Sequence, residues 1–408
     1  MTKSDKNDKV INHQDLEGKK IMKPLNQKTE QITDSVIRRM TRISMECGAI
    51  NLSQGFPDFD PPQCILDRLV EVVKEGPHQY SPTWGAYNYR AAVAKKVSMF
   101  MGIDLDPDKN VLGTVGSTEA MMATFMAIMN PGDKVVIFSP YFENYAAQSL
   151  FNDVEPIFVP LNPPAFTFDA NVLEEAFKDP KTKAMLLCNP SNPSGRVFTK
   201  EELQTIADLA IKYDVIIVTD EVYEHIVFEP YQHTYIAALP GMWERTICCS
   251  SLSKTYSITG WRLGYIVANE ELMNRCKKVH DFLTVCAPSP LQEAIVVGLE
   301  QPMSYYKELQ AHYTHMKNIF TKGLKDIGFT FTEPEGSYFM MVDISEFANG
   351  RTDVEFCEEL ARKVGVAAVP GSSFFKEDIN HLARFHFAKK DETLYEALNR
   401  LADIRKKM

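Results

Sequence analysis

The sequence predicts an α/β protein, with a large domain built on an open, mostly parallel sheet and a smaller α+β domain following it. Three observations carry this. Between about residues 51 and 285, short apolar runs alternate with helix-like stretches, the βα rhythm of a parallel sheet. After about residue 290 that rhythm gives way to long helices and isolated strands. A chain of 408 residues with 45% hydrophobic content is too long for one small core and has ample material for two.

The elements follow in order. Residues 1–30 are polar and mixed in charge, the pattern of a flexible arm. A helix over 31–47 is expected to run back to the small domain, so 31–50 is assigned with it. Residues 51–290 form the expected large domain. Within it the runs 134–138, 184–188, 215–219 and 263–268 are continuously apolar, as strands covered on both faces are. Helices are expected over 118–129 and 200–213, each opened by a threonine able to cap it, and 130–133 (Asn-Pro-Gly-Asp) is a turn. In the small domain, 291–408, one long helix is expected from 293 to about 325. Strand-like stretches follow at 328–332 and 337–342, then a helix near 353–364, strands at 366–370 and 383–388, and a last helix from 391.

Composition narrows the function. A net charge of −10 argues against nonspecific nucleic-acid binding, which needs a basic face, while leaving room for a local basic pocket. No run reaches the ~18 apolar residues of a membrane span, and the N-terminus lacks the apolar core of a signal peptide. The eight cysteines include no Cys-x-x-Cys pair, so they are expected to be reduced core residues of a cytoplasmic protein. His312 and His315 share a helix face, but no third ligand accompanies them. A solvated face is expected there, and no metal.

Chemistry concentrates in a few segments. In Ser251-Leu-Ser-Lys254-Thr-Tyr-Ser-Ile-Thr-Gly-Trp-Arg262, hydroxyls, Gly260 and Arg262 can bind a phosphate. Lys254 can condense with an aldehyde once burial or nearby cations disfavour its ammonium form. Pyridoxal phosphate (PLP) carries both groups; a surface loop ending in a strand is the plainer alternative. Asp220 closes an apolar run and Tyr223 follows one turn later. Such an aspartate can cap a helix, join an ion pair, or hold a pyridine nitrogen protonated. Asn192, in the turn Asn189-Pro-Ser-Asn-Pro-Ser-Gly195, could reach a phenolic oxygen together with Tyr223. Gly116, Ser117 and Thr118 open a helix, where N–H groups and hydroxyls favour an anion. Arg384 lies in a strand, where arginine is ordinarily exposed, yet it suits a substrate carboxylate.

In order along the chain, Asn51-Leu-Ser-Gln-Gly-Phe-Pro-Asp58, Tyr80 with Gly85, residues 115–120, Ser139-Pro-Tyr-Phe142, 189–195, Thr219-Asp-Glu-Val-Tyr223, 251–264 and Arg384 resemble the class I/II (fold type I) PLP-dependent aminotransferases. The resemblance covers about residues 33–400. It is nearest the kynurenine/glutamine-phenylpyruvate and aspartate/aromatic branches. It implies a ping-pong transfer of the amino group of an L-amino acid to a 2-oxo acid through Lys254. Asp220 would pair with the ring nitrogen, and Asn192 and Tyr223 would hold the ring oxygen. Ser117, Thr118, Ser251 and Arg262 would bind the phosphate, and Phe142 would stack on the ring. Arg384, with Asn192 and the Gly55 backbone, would clamp the substrate carboxylate. Tyr80 would reach the phosphate of a neighbouring subunit, implying a homodimer with shared sites. The kynurenine branch carries aromatic residues and a histidine where this chain has Val285 and Cys286, so kynurenine preference is not carried over. No second arginine for a distal carboxylate is evident. Broad aromatic, methionine-like or glutamine donors are expected. The alternatives are an aspartate aminotransferase or a C–S β-lyase on the same scaffold. A PLP-sensing DNA-binding regulator fits poorly, because the segment before residue 33 is too short for such a domain.

Overall fold

The computed structural model describes residues 23, 25–32 and 34–408, so most of the expected arm lies outside the described residues. The chain divides into two units, residues up to Thr33 and Asp34–Met408. In the first, a single 3₁₀ turn, Gln27–Gln31, is capped by Asn26, whose side chain accepts the Lys28 N–H at 3.0 Å.

The second unit holds thirteen strands: β1 Ile50–Asn51, β2 Val111–Thr114, β3 Lys134–Ser139, β4 Glu155–Pro160, β5 Thr182–Cys188, β6 Ile216–Asp220, β7 Thr246–Ser251, β8 Gly264–Ala268, β9 Thr330–Phe331, β10 Phe339–Asp343, β11 Val366–Ala367, β12 Val369–Pro370 and β13 Leu382–His386. Seven make the central sheet, in the order β2-β8-β7-β6-β5-β3-β4. The pairings from β7 through β6, β5 and β3 to β4 are parallel. β8 is antiparallel to both its neighbours. Two antiparallel pairings restore direction, so β2 runs the same way as β7. The carboxyl ends of β2, β3, β5, β6 and β7 therefore share one edge, which is where open α/β sheets bind ligands.

Val136 and Met185 face one side of this sheet and Val135, Ala184 and Val218 the other, all fully or nearly fully buried. Both faces are covered, as the apolar runs predict. Helix Lys200–Lys212 opens with a capping box between Thr199 and Glu202. Helix Gly116–Ile128 does not use a threonine cap as expected. It begins two residues earlier, at Gly116, and the Val115 N–H is satisfied by the Glu119 carboxylate at 3.0 Å.

A second sheet, β12-β13-β10-β9, is antiparallel. From Met340 onward its strands alternate. Met340, Val342, Ala383 and Phe385 face one core, and Met341 and Leu382 face another shared with β3 and β5. The expected long helix over 293–325 is two helices, Ser289–Leu299 and Met303–Ile327, broken before Met303, where Pro302 lacks the N–H a continuing helix would use. The expected strand over 366–370 also splits at Ala368. β11 pairs with β1, whereas β12 joins the second sheet. The first helix, α1, Val36–Cys47, is capped by Ser35. It buries Met40 and Ile43 in one core while Val36 and Ile37 rest on the other.

Candidate active site

The shared strand edge opens into a cavity of about 380 Å³. Gly55, Ser117, Thr118, Phe142, Asn192, Asp220, Tyr223, Ser251, Lys254, Arg262 and Arg384 all line it. These are all the sequence-expected site residues except Tyr80, which is 82% exposed. The sheet explains the convergence. Residues at or just beyond the ends of β2, β3, β5, β6 and β7 supply the Ser117 and Thr118 hydroxyls, Phe142, Asn192, Asp220 with Tyr223, and Lys254 respectively.

One end of the cavity is an anion cradle. Ser117 and Thr118 stand in the first turn of helix Gly116–Ile128, where N–H groups point outward. Gly116 has φ +72°, and a Cβ there would lie 2.4 Å from Arg262 Nη2. Only glycine lets the guanidinium approach this helix end. Arg262 is itself left-handed (φ 54°), a local strain of the kind held at functional sites. Its Nη1 donates to the Thr259 carbonyl at 2.9 Å, which aims the fork. Ser253, 4% exposed, has a hydroxyl without a hydrogen-bond partner among the described residues. A buried orphan donor beside an arginine and a helix N-terminus fits the phosphate of PLP. No sequence signal singles out Ser253 from its serine neighbours.

Asp220 is the last residue of β6, 6% exposed. The Tyr145 hydroxyl donates to its Oδ2 at 2.7 Å; Tyr145, on helix Asn144–Phe151, is a second residue the sequence did not reveal. Burial raises the carboxyl pKa to about 6, and the Tyr145 bond only partly offsets this. A protonated ring nitrogen beside it would favour the ionised form. The sign for the ligand-free protein follows. The folded carboxyl holds its proton up to about pH 6, while an unfolded one releases it near 3.9. Stability therefore falls as pH rises through that window. Ligand-free Asp220→Asn is expected to be more stable than ligand-free wild type at pH 7–8, by roughly 3 kcal/mol. The gap should close below about pH 4. Denaturant melts across pH check this, and a less stable variant at pH 7.5 would refute it.

Lys254 Nζ donates to the Gly55 carbonyl at 3.0 Å, which also accepts the Tyr338 hydroxyl at 2.8 Å. Burial, then the nearby Arg262, lower its pKa to about 8. At pH 8 an ordinary lysine is neutral in only about one molecule in 300, whereas Lys254 is neutral in about half. Gly55 is fixed by space: a Cβ would fall 2.4 Å from the Phe339 ring.

Arg384 departs from the exposed strand arginine that its context suggests; it is 1% exposed. Alternation along β13 puts it on the same face as Leu382, toward the central sheet. It lies against the rings of Phe339 and Phe374, 4.2 and 4.6 Å from their centroids. Its Nη1 donates to Asn192 Oδ1 at 2.8 Å and Nη2 to the Ser53 carbonyl at 2.7 Å, and Nε has no partner among the described residues. Burial lowers its pKa to about 10, which leaves it cationic at neutral pH. A buried cation with neutral partners is suited to an incoming carboxylate. Because arginine only donates, Asn192 must present its oxygen to Arg384, leaving its NH₂ for an acceptor. Tyr223, 3% exposed, has its phenol pKa pushed up by burial, so it too is a donor.

His312 and His315 do not converge on a third ligand. His312 packs edge-on to Phe59 at 5.0 Å, and His315 pairs with Asp391 at 2.8 Å. Among the described residues no cluster of three metal-ligating side chains occurs. No helix among them is long and apolar enough to cross a membrane.

A family model described as aminotransferase class I and II matches residues 48–401. Probable N-succinyldiaminopimelate aminotransferase DapC of Mycobacterium tuberculosis is 34% identical over 380 residues, 90% of this chain and 95% of that protein. The solved N-succinyldiaminopimelate aminotransferase of Mycobacterium tuberculosis superposes with a TM-score of 0.90, covering 93% of this chain and 100% of that one. Methionine aminotransferase of Escherichia coli is 34% identical over 378 residues, 92% of this chain and 97% of that protein. Human kynurenine–oxoglutarate transaminase 1 is 32% identical over 386 residues, 86% of this chain and 92% of that protein.

Proposed function

The chain belongs to the class I and II aminotransferases and is a PLP-dependent transaminase. From that premise we propose that the cavity at the sheet edge moves amino groups between L-amino acids and 2-oxo acids, with Lys254 as its base. One observation carries the reading. A lysine with a pKa of about 8, a buried carboxylate and a buried arginine without a carboxylate partner face one cavity.

PLP supplies an aldehyde that receives the amino group and a ring that stores an electron pair. The chain supplies the rest. Ser117, Thr118, Ser251, Ser253 and Arg262 would hold the phosphate. Asp220, steadied by Tyr145, would keep the ring nitrogen protonated. The Asn192 NH₂ and the Tyr223 hydroxyl would hold the ring oxygen, and Phe142 would stack on the ring. Arg384, with Asn192 and the Gly55 backbone, clamps the α-carboxylate and so aims the substrate α-carbon at Lys254. Lys254 would take and hold the proton from that carbon. One cavity serves donor and acceptor in turn, which is ping-pong behaviour.

Donors in this reading are aromatic, methionine-like or glutamine-like. The apolar lining of Ile37, Val222 and Phe339 supports this, as do relatives named for methionine and kynurenine. The test is the absorbance of purified holoenzyme mixed with single amino acids and no acceptor. Loss of the yellow colour with release of one 2-oxo acid per site is expected for those donors. A response to aspartate and glutamate alone would overturn the breadth of the donor range. No response to any amino acid would overturn the roles of Lys254 and Arg384.

The homodimer belongs to the same proposal. Tyr80 leads a segment held by the Ser81 N–H bond to Ser289 Oγ and by His280 at the Thr83 carbonyl. Beyond His280, on the same helix and the turn after it, Phe282 and Val285 are 94% and 45% exposed. In this reading a second copy covers this apolar strip, and Tyr80, itself exposed, reaches the phosphate of that neighbour. Of the eight cysteines, Cys248, Cys249, Cys276 and Cys357 are the buried core residues expected, whereas Cys47 and Cys64 are exposed; a cytoplasmic setting remains part of the proposal.

A further inference from the structure

Resting on the transaminase reading and its dimer, we infer that His280 is a positioning residue for the coenzyme phosphate: as an imidazolium it ties the anion cradle of its own cavity to the segment that carries Tyr80 towards the neighbouring cavity.

His280 lies on helix Glu270–Leu283, fully buried and outside the cavity lining. Both of its ring nitrogens face acceptors. Nε2 is 2.8 Å from the Thr83 carbonyl, and Nδ1 is 3.0 Å from Glu119 Oε1. A carbonyl only accepts, so Nε2 carries a hydrogen. The Glu119 carboxylate already accepts the Val115 N–H through Oε2, and its Oε1 takes the hydrogen on Nδ1. An imidazole that donates from both nitrogens is a cation. Glu119 and His280 are each the counter-ion that lets the other stay buried.

The two anchors of this ring serve phosphates in different cavities. Glu119 stands in the first turn of helix Gly116–Ile128, beside Ser117 and Thr118, and its bond to Val115 fixes the backbone entering that turn. Thr83 belongs to the segment led by Tyr80. The other hydrogen bonds that hold this segment join neutral groups: the Ser81 N–H to Ser289 Oγ, the Ala86 N–H to Gln292 Oε1 and the Gly113 N–H to the Trp84 carbonyl.

The charge makes the tie sensitive to pH. Glu119 is the only charged residue of helix Gly116–Ile128, and β2 and β8 carry none. On its own helix, Asp281 favours the charged ring, while Lys277, one turn back, is turned to the Trp84 ring and the Asp108 carbonyl. From the Tyr80 segment the ring meets the uncharged Thr83 carbonyl. Burial works against the imidazolium, but the Glu119 pair and the Thr83 bond outweigh it, so the pKa sits above the ordinary histidine value. The tie is complete below that pKa and loses Glu119 as pH rises through it. Thr284 Oγ1, 3.3 Å from Nδ1, can donate to the neutral ring, which leaves Glu119 held by Val115 alone.

The test titrates protein freed of coenzyme with PLP and with pyridoxal, which lacks the phosphate, from about pH 6.5 to about pH 9. The ratio of the two dissociation constants isolates the phosphate, because Lys254 and Asp220 act on both compounds. In wild type the advantage of PLP should fall roughly 10-fold as pH rises, part of the worth of one hydrogen bond to a charged group. The phosphate's own second ionisation, near pH 6, works in the opposite direction. His280→Gln should start roughly 10-fold lower and stay flat with pH. Glu119→Gln, whose amide can accept from Val115 and donate to a neutral ring, should also be flat and lie between the two. Combined with Tyr80→Phe, His280→Gln should lose less than the product of the single losses, because part of its effect runs through Tyr80. A wild-type ratio that ignores pH would overturn the inference. So would a His280→Gln variant that weakens PLP and pyridoxal equally, which is a merely structural role, or losses that multiply, which would remove the link to Tyr80. Wild-type protein that binds neither compound would overturn the transaminase reading, and the inference with it.

Discussion

Lys254→Ala holoenzyme should lose transamination by roughly 10⁴-fold or more while remaining folded and still binding PLP. The size follows from two roles falling on one side chain. The neutral amine is what condenses with an aldehyde, and the same amine then moves the proton at the substrate α-carbon. Neither has a substitute nearby. The Tyr223 and Tyr338 phenols that flank the amine have their pKa values raised by burial, so they are poor bases. The phosphate cradle and Asp220 remain in the variant, which is why PLP should still bind. Single-turnover absorbance with a good donor, beside a PLP titration, separates the two. Retention of more than about one part in a hundred of the wild-type rate would refute the assignment.

Arg384→Leu should lower kcat/KM for α-amino acids by roughly 10³-fold, from the loss of a bidentate charge-assisted clamp. The diagnostic comparison is with the amine that lacks the carboxylate. Wild type should prefer phenylalanine to phenethylamine strongly, and the variant should nearly lose that preference. Stability should change little, because two effects oppose. Removing a buried cation that lacks a carboxylate partner is favourable, while Asn192 Oδ1 and the Ser53 carbonyl lose their donor, at about 1–3 kcal/mol each. A variant that kept the amino-acid preference would place the carboxylate elsewhere.

The sequence discloses the parts of this site that sit in punctuated motifs. Asn192 and Asp220 follow apolar runs and Lys254 and Arg262 precede one, and the strand edge does gather them. The parallel character of the sheet is legible for the same reason, since strands buried on both faces are apolar throughout. What stays hidden depends on three-dimensional adjacency. Tyr145 reaches Asp220 across 75 positions, and Ser253 is one serine among several until its hydroxyl is seen to lack a partner. Arg384 looks like a surface arginine because strand alternation shows two faces without showing that both are covered. At Pro302 a single proline interrupts a helical period that resumes at once on its far side, so the break is easily masked. β2 is too short, at four residues, to show a period at all.

The spacing of the Arg384 clamp has a consequence for how the molecule assembles. Its guanidinium needs the Ser53 carbonyl and Asn192, which lie 331 and 192 positions away along the chain. The phosphate cradle and Asp220 draw on the strands from β2 through β8, residues 111–268. During synthesis the cradle can close while the C-terminal strands are still unmade, but the clamp must wait for β13. Contacts of such long range form late, because the loops they close are entropically costly. The clamp is therefore the part of the site that depends on the most distant stretches of chain. A chain that stops short of β13 lacks the arginine that would orient an amino acid.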